Sequence, residues 1–233
     1  MKVAALELTS ASRRAFERLA ADLERVFATR FTALVAYGTE TGLAFAESIR
    51  PDDLDALGPL VGTWHGEGLA TPLVMTSDEF RRSLDAFPIE FQAILDRHLV
   101  IAGQPPFNGV RIPPQDLRHA CEIQARSFLI HIRQGWLQCG GHHTEIDALV
   151  VRSAQPFRAL LSNVVRLQGV AEATDEQLTD VAHRQIGLPV AVVRSLLELE
   201  RAPDRAHDLS GRMPELLAAA ETLWNFVDAW RAT

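Results

Sequence analysis

Cysteine and long apolar runs are scarce in this chain of 233 residues. The two cysteines, Cys121 and Cys139, lie about five turns apart if one helix carries both, too far for a disulfide bond. We therefore expect free thiols and a reducing cytoplasm as the compartment. No window reaches the roughly 20 apolar residues of a membrane span, and the N-terminus lacks the apolar core of a signal peptide, so we expect no membrane partner.

Positive charge is also scarce. Lys2 is the only lysine, and 23 basic residues stand against 30 acidic ones, which gives a formal net charge of −7. Long nucleic acids bind through clustered Lys and Arg, so this balance argues against such a partner. The motifs Gly-x-Ser-x-Gly, the Walker loop and His-Glu-x-x-His are absent, which leaves serine hydrolases, P-loop enzymes and zincins without support.

The chain changes character at a proline-rich stretch, residues 104–114. Four prolines and a glycine among these eleven residues prevent a continuous helix or central strand. Before the stretch, helical patterns alternate with short apolar runs, and after it the periodicity is helical only. We predict an α+β fold, with a small mixed-sheet domain over residues 1–108 and a helical bundle over residues 109–233.

Turn and cap residues delimit the elements of the front half. Thr9 or Ser10 caps a first helix, and Pro51 with two following acids starts a second, which Gly58 and Pro59 kink or break. Thr76 with Glu79 forms a capping box for a third helix over residues 77–86, and Phe87 with Pro88 stops it. Period-two or continuous apolar runs predict strands at residues 31–37, 43–49 and 71–75. Residues 89–94 and 98–102 are predicted as two further strands, or as a strand and a bridging segment.

These features resemble the polymerase-beta type of nucleotidyltransferase. The resemblance rests on a helix, a strand ending in Tyr37-Gly38-Thr39, an adjacent strand and a helical second half. Residues 71–80, 83–98 and 117–122 also resemble a set of uncharacterised bacterial proteins associated with this fold. The resemblance covers most of the chain and implies nucleotide chemistry with Mg²⁺ if the protein is active.

The chemistry of that family requires carboxylates in a fixed pattern. Two carboxylates one residue apart on a strand hold Mg²⁺, and a third helps to activate the acceptor hydroxyl. Here the second strand carries only Glu47, and Glu90 is placed for the third carboxylate unless it lies on a solvated strand face. Asp53 and Asp55 have the required spacing if they lie on a strand. Pro51 favours a helix start instead, where residues two apart face about 200° apart.

Other polar residues suggest a ligand site without a metal. Gly38 and Thr39 form the turn after the first long strand, and Arg118 and Arg126 on the first bundle helix are candidates for phosphate binding. Ion pairs of these arginines with Glu122 are the alternative. The segment Cys139-Gly-Gly-His-His suggests zinc but lacks a second ligand pair, so we expect no bound metal and a glycine-capped helix end.

Three functions are consistent with these patterns. The first is a catalytically degenerate nucleotidyltransferase-like module that binds a small molecule, a nucleotide or a protein in a cleft between Gly38-Thr39, Glu90 and the bundle arginines. The second is an active Mg²⁺-dependent nucleotidyltransferase that uses Glu47 and Glu90, or Asp53 and Asp55. The third is a structural protein whose helical half forms a homodimer.

Overall fold

The structure is a computed structural model that describes residues 4–170, 173–202 and 209–231. The chain divides into two compact units, residues 1–112 and 113–233. The predicted α+β class is confirmed, with a mixed sheet in the first unit and helices in the second. Both the predicted boundary and the boundary in the structure fall within the proline-rich stretch. Within the described ranges, no helix is long and apolar enough to cross a bilayer.

The sheet of the first unit has its strands in the order β1 (Ala4–Ala5), β5 (Arg97–Gly103), β2 (Phe31–Ala36), β3 (Gly42–Ala46) and β4 (Leu73–Met75). β2 is antiparallel to both of its neighbours, whereas β1 runs parallel to β5 and β4 runs parallel to β3. Four of the five predicted strands are therefore present. β4 lies at an edge of the sheet, as the proline before it favours.

The helices of the first unit are α1 (Ser10–Phe27), α2 (Pro51–Leu57), α3 (Val61–Gly66), α4 (Ser77–Arg82) and α5 (Pro88–Asp96). Thr9 caps α1 by accepting a hydrogen bond from the Ser12 N–H at 3.1 Å. Gly58 and Pro59 separate α2 from α3 with a short 3-10 turn, which matches the predicted break. α4 is shorter than its predicted range of 77–86, because the chain turns at Ser83.

The sheet is covered on both faces around β3. One face packs against α1, where Phe16 and Leu19 are buried in one cluster with Ala44. On the other face, the Phe45 ring of β3 meets the Phe80 ring of α4 edge-on, with centroids 5.5 Å apart. Phe80 also contacts Phe91 of α5 at 5.0 Å and Phe107 at 5.3 Å. These four phenylalanines form an aromatic cluster that closes this face.

A substitution at Thr76 tests whether the capping box stabilises the start of α4. Its hydroxyl accepts a hydrogen bond from the Glu79 N–H at 3.1 Å, and Glu79 accepts from the Thr76 N–H at 2.7 Å. Thr76→Ala removes the first bond, so we expect a loss of about 1 kcal/mol in the free energy of unfolding, measured by urea denaturation. Ser77→Ala is the matched control, and an equal loss there would contradict the capping assignment.

The second unit consists of α6 (Pro114–Gln138), α7 (His143–Leu167), α8 (Asp175–Val181), α9 (Val190–Arg201) and α10 (Met213–Ala229). α6 packs against α7 and α10, and α7 also packs against α9. Their shared core includes Ala125, Phe157 and Leu223, each with no exposed surface. Gly140 and Gly141 have φ values of 56° and 83°, so the predicted left-handed glycine end of α6 is present.

Candidate functional site

The β2–β3 turn is where a nucleotidyltransferase-like site is expected. The register joins Ala36 to Gly42 across the hairpin and Ala36 to Leu99 on β5. Leu43 pairs with Leu73 on β4, so the first residues of β3, β4 and β5 all lie beside the end of β2. We call this edge the turn end of the sheet, and it contains the predicted residues Gly38 and Thr39.

Gly38 lies in this turn, next to the side chain of Thr41. The Tyr37 N–H donates to the Thr41 carbonyl at 3.1 Å, which closes the loop. A Cβ on residue 38 would clash with Thr41 Oγ1, so the Thr41 hydroxyl would have to rotate away. Burial raises the pKa of Tyr37, although a hydrogen bond with Thr41 opposes that shift. Thr39 and Glu40 are both exposed at the tip, so both side chains are free to meet a ligand.

β3, the strand next to the turn, has no carboxylate and no open face. Leu43, Ala44, Phe45 and Ala46 have no exposed surface. Alternate residues point to opposite faces of a strand, and here those faces meet the α1 core and the aromatic cluster. A metal pair on this strand would therefore have to replace buried apolar side chains on one face.

Glu47 lies at the opposite end of the sheet from the turn. It follows Ala46, which pairs with Phe31, and its N–H donates to the Arg30 carbonyl at 2.8 Å. It is five positions after Gly42 in the chain, or roughly 16 Å at the rise of a strand. The exposed Glu47 carboxylate is thus not brought to Gly38 and Thr39.

Asp53 is engaged in the structure of the first unit. It accepts two hydrogen bonds from the Arg30 guanidinium, both at 2.7 Å, and one from the Arg50 N–H at 2.8 Å. The hydrogen bonds from Arg30 lower the pKa of Asp53 to about 2. Arg30 also donates to the Ser48 carbonyl at 2.8 Å, so the pair fixes the connection from β3 to α2.

The pairing of Asp53 with Asp55 on a strand is wrong. Both residues lie on α2, whose first residue is Pro51, so the predicted helix start is confirmed. Asp55 is exposed, whereas Asp53 is buried at 6% exposure. Side chains two residues apart on a helix diverge by about 200°, so the two carboxylates do not converge on one ion.

The predicted strand at residues 89–94 is also wrong, because this segment is α5. Pro88 occupies the first helical turn, where its missing N–H costs nothing. Phe91, Ile94 and Leu95 are buried at helical spacing, while Glu90 is exposed in the first turn. The apparent alternation came from a short apolar run that both periods fit. Glu90 is therefore not a strand carboxylate.

Two polar residues near the turn end were not singled out from the sequence. Asp96 ends α5 at 7% exposure and accepts a hydrogen bond from Gln92 at 2.7 Å. His98 on β5 has Nδ1 2.9 Å from the Ile94 carbonyl, and its ring lies 4.8 Å from the Phe107 ring. The sequence signal for this position is that two polar residues, Asp96 and His98, stand at the start of an apolar strand. The prediction of a strand over residues 89–94 concealed that they lie at a junction between a helix and a strand.

Arg118 and Arg126 belong to the second unit and carry ion pairs there. Arg118 lies 3.0 Å from Glu122 and donates to the Val227 carbonyl at 3.3 Å. Arg126 lies 2.9 Å from Glu122, with its guanidinium 5.4 Å from the centre of the Trp224 ring. The ion pairs with Glu122 correspond to the ion-paired alternative, and the contacts with Val227 and Trp224 join α6 to α10.

The cysteines do not form a metal centre with their neighbours. Cys121 and Cys139 are buried free thiols, and burial raises the pKa of Cys121 to about 12. His119 and His131 are exposed on α6. Across residues 4–170, 173–202 and 209–231, no group of three His, Cys, Asp or Glu side chains is placed to hold a metal ion.

The chain was compared with protein-family models, curated proteins and solved structures. None of the three comparisons gave a match.

Proposed function

We propose that the first unit is a binding module on a nucleotidyltransferase-like scaffold that does not transfer nucleotides. The observation that carries the proposal is that β3 offers no metal ligand, because its four residues after Gly42 are fully buried and uncharged. Metal-dependent transfer needs converging carboxylates beside the turn. Glu47 lies at the far end of the sheet, Asp53 is bound to Arg30, and Glu90 is on the exposed side of a helix.

The turn end supplies the groups for binding a small polar molecule such as a nucleotide. Thr39 is exposed there, and the loop before β4 is tied to the turn by a hydrogen bond from the Ala70 N–H to the Glu40 carbonyl at 2.8 Å. His65 Nε2, in the last turn of α3, lies 3.0 Å from Thr71 Oγ1 of that loop. Hydroxyl and imidazole groups hydrogen-bond to a polar ligand directly, so they bind it without a metal cation. The two free thiols fit the expected cytoplasm.

Calorimetry and a transfer assay test this proposal together. We expect ATP to bind with equal affinity in the presence and absence of Mg²⁺, and we expect no labelled nucleoside monophosphate on any acceptor. Thr39→Tyr fills the space at the turn tip, so it should weaken ATP binding at least about tenfold. Glu47→Gln and Glu90→Gln are the matched controls and should leave affinity unchanged.

Two results would contradict the proposal in different ways. Mg²⁺-dependent transfer that disappears in Glu90→Gln would show an active enzyme. Binding that is unaffected by Thr39→Tyr but lost in Glu47→Gln would place the ligand at the other end of the sheet.

A further inference from the structure

The second unit contains a groove of about 470 Å³ between α8 and α9. The Arg201 guanidinium of α9 lies 2.8 Å from the Asp175 carboxylate of α8, so the end of one helix meets the start of the other and the two run antiparallel. The Asp175 carboxylate also lies 2.6 Å from Arg158 of α7. Two arginines from different helices therefore hold this end of the groove in place through one carboxylate.

The other end of the groove is formed by a π-helical turn, Ala182–Ile186, which follows α8 directly. Turns of this kind are rare and are frequently found at functional sites. His183 on this turn lines the groove, and its Nδ1 lies 3.2 Å from the Leu188 carbonyl oxygen. A carbonyl oxygen only accepts, so Nδ1 carries the proton and Nε2 of the neutral ring is the acceptor. The groove thus contains an imidazole whose orientation is fixed.

Some of the charges that line the groove are neutralised within the protein and others are not. The acid at the start of α8 is paired as described above, and Asp180 lies 2.7 Å from Arg184. Glu176, Arg194 and Glu198 also line the groove and are exposed. None of these three forms an ion pair with another residue in the described ranges. The groove therefore presents two negative charges and one positive charge to a ligand.

We propose that the groove between α8 and α9 binds a free amino acid with a cationic side chain, such as lysine. This ligand has two positive charges and one negative charge, the inverse of the three unpaired charges of the groove. Its carboxylate pairs with Arg194, because a guanidinium matches a carboxylate in a bidentate way. Its side-chain ammonium meets Glu176 and Glu198, and its α-ammonium donates to His183 Nε2.

The spacing of the charges along α9 favours a ligand with a long side chain. Arg194 and Glu198 are four residues apart, or about 6 Å along the helix axis. The four-carbon stem of lysine covers that distance, whereas the α-ammonium and the carboxylate are attached to the same carbon and do not. Val190 and Leu197 are the apolar part of the groove lining. The stem packs against them, as long cationic side chains do on apolar surfaces.

Calorimetric titration of the full chain with three probes tests the site. We expect L-lysine to bind with a dissociation constant of about 1 mM or less. L-Norleucine has a side chain of the same shape but lacks its ammonium group, and cadaverine has both ammonium groups but lacks the carboxylate. Each of these two should bind at least about tenfold more weakly, because one charged contact is lost. The first unit takes no part, so the result is independent of the ATP titration.

Substitutions that remove one charge each then assign the contacts. Glu198→Gln and Arg194→Gln should each weaken lysine binding at least about tenfold, because each leaves one charge of the ligand without its partner. Glu200→Gln is the matched control, since Glu200 lies on the same helix but does not line the groove, and it should leave the affinity unchanged. Circular dichroism of each variant establishes that it is folded.

Three results would overturn the proposal. The first is a dissociation constant for lysine above about 10 mM, which leaves the groove an ordinary solvated surface. The second is binding of norleucine or cadaverine as tight as that of lysine, which means that the groove does not recognise all three charges. The third is an unchanged lysine affinity in folded Glu198→Gln, or an equal loss in Glu200→Gln, which places the ligand elsewhere.

Discussion

Asp53→Asn should lower the melting temperature of the first unit by roughly 5–10 °C without affecting ligand binding. The substitution preserves shape but removes the charge that accepts both Arg30 hydrogen bonds at 2.7 Å. The Arg30 side chain, only 18% exposed, would then remain largely desolvated without a counter-charge. Thermal unfolding followed by circular dichroism measures the effect.

The same pair gives the first unit a defined pH dependence. The pKa of Asp53 is lowered from 3.8 to about 2, so the folded state favours the charged carboxylate. Its contribution to stability is complete above the unfolded pKa and is lost as pH falls through the folded value. We therefore expect the difference in melting temperature between the native protein and Asp53→Asn to shrink as pH falls from about 4 to about 2.

Asp55→Asn is the matched control for Asp53, because Asp55 is exposed and lies two residues along the same helix. It should change the melting temperature by no more than about 1 °C. A metal-binding pair would behave in the opposite way, with both substitutions abolishing Mg²⁺ affinity and neither costing stability. The comparison therefore separates a structural aspartate from a catalytic one.

Local residue chemistry made much of the fold predictable from the sequence. Pro51 and the acids after it start α2, the Thr76 capping box starts α4, and Gly140 with Gly141 ends α6. Each signal acts within four residues, so the sequence contains its cause in full. The five residues of β3 were predictable for a similar reason, since a short apolar run between glycine and proline favours a buried strand.

The strand prediction for the segment that forms α5 was wrong for a physical reason. Residues 89–94 fit both a period of two and a helical period over so short a length, and only packing against Phe80 decides between them. Pro88 was interpreted as a stop for the preceding helix, although it equally favours the first turn of the next one. The packing of α4 and α5 against β3 joins residues that are far apart in the sequence, so the pattern of one segment does not reveal it.

The candidate site was harder to predict than the fold. The partner of Asp53 is Arg30, twenty-three residues earlier, and no local pattern links the two side chains. The separation of Glu47 from Gly38 follows from the hairpin register, which the short turn determines once β2 and β3 are known to pair. A pattern of carboxylates along the chain therefore overestimates how many of them meet in space.

Phe80→Ala should cost the first unit about 3–5 kcal/mol, because it removes the central ring of the aromatic cluster. Phe80 has no exposed surface and contacts the rings of Phe45, Phe91 and Phe107. The cavity left behind would be lined by aromatic and aliphatic carbon. Native-state hydrogen exchange of β3 amides, read by mass spectrometry of the full chain, measures the loss where it occurs.

Phe87→Ala is the matched control, since Phe87 is 55% exposed and its ring meets only that of Phe91 among the described aromatic contacts, at 6.3 Å. It should cost less than about 1 kcal/mol. The comparison also bears on function, because a cleft over β3 would need this face of the sheet to open. If Phe80→Ala left β3 exchange unchanged, the aromatic rings would be a removable cover, and β3 would regain its place as a ligand surface. A large loss instead means that this face is core, which is consistent with the proposed ligand site at the turn end.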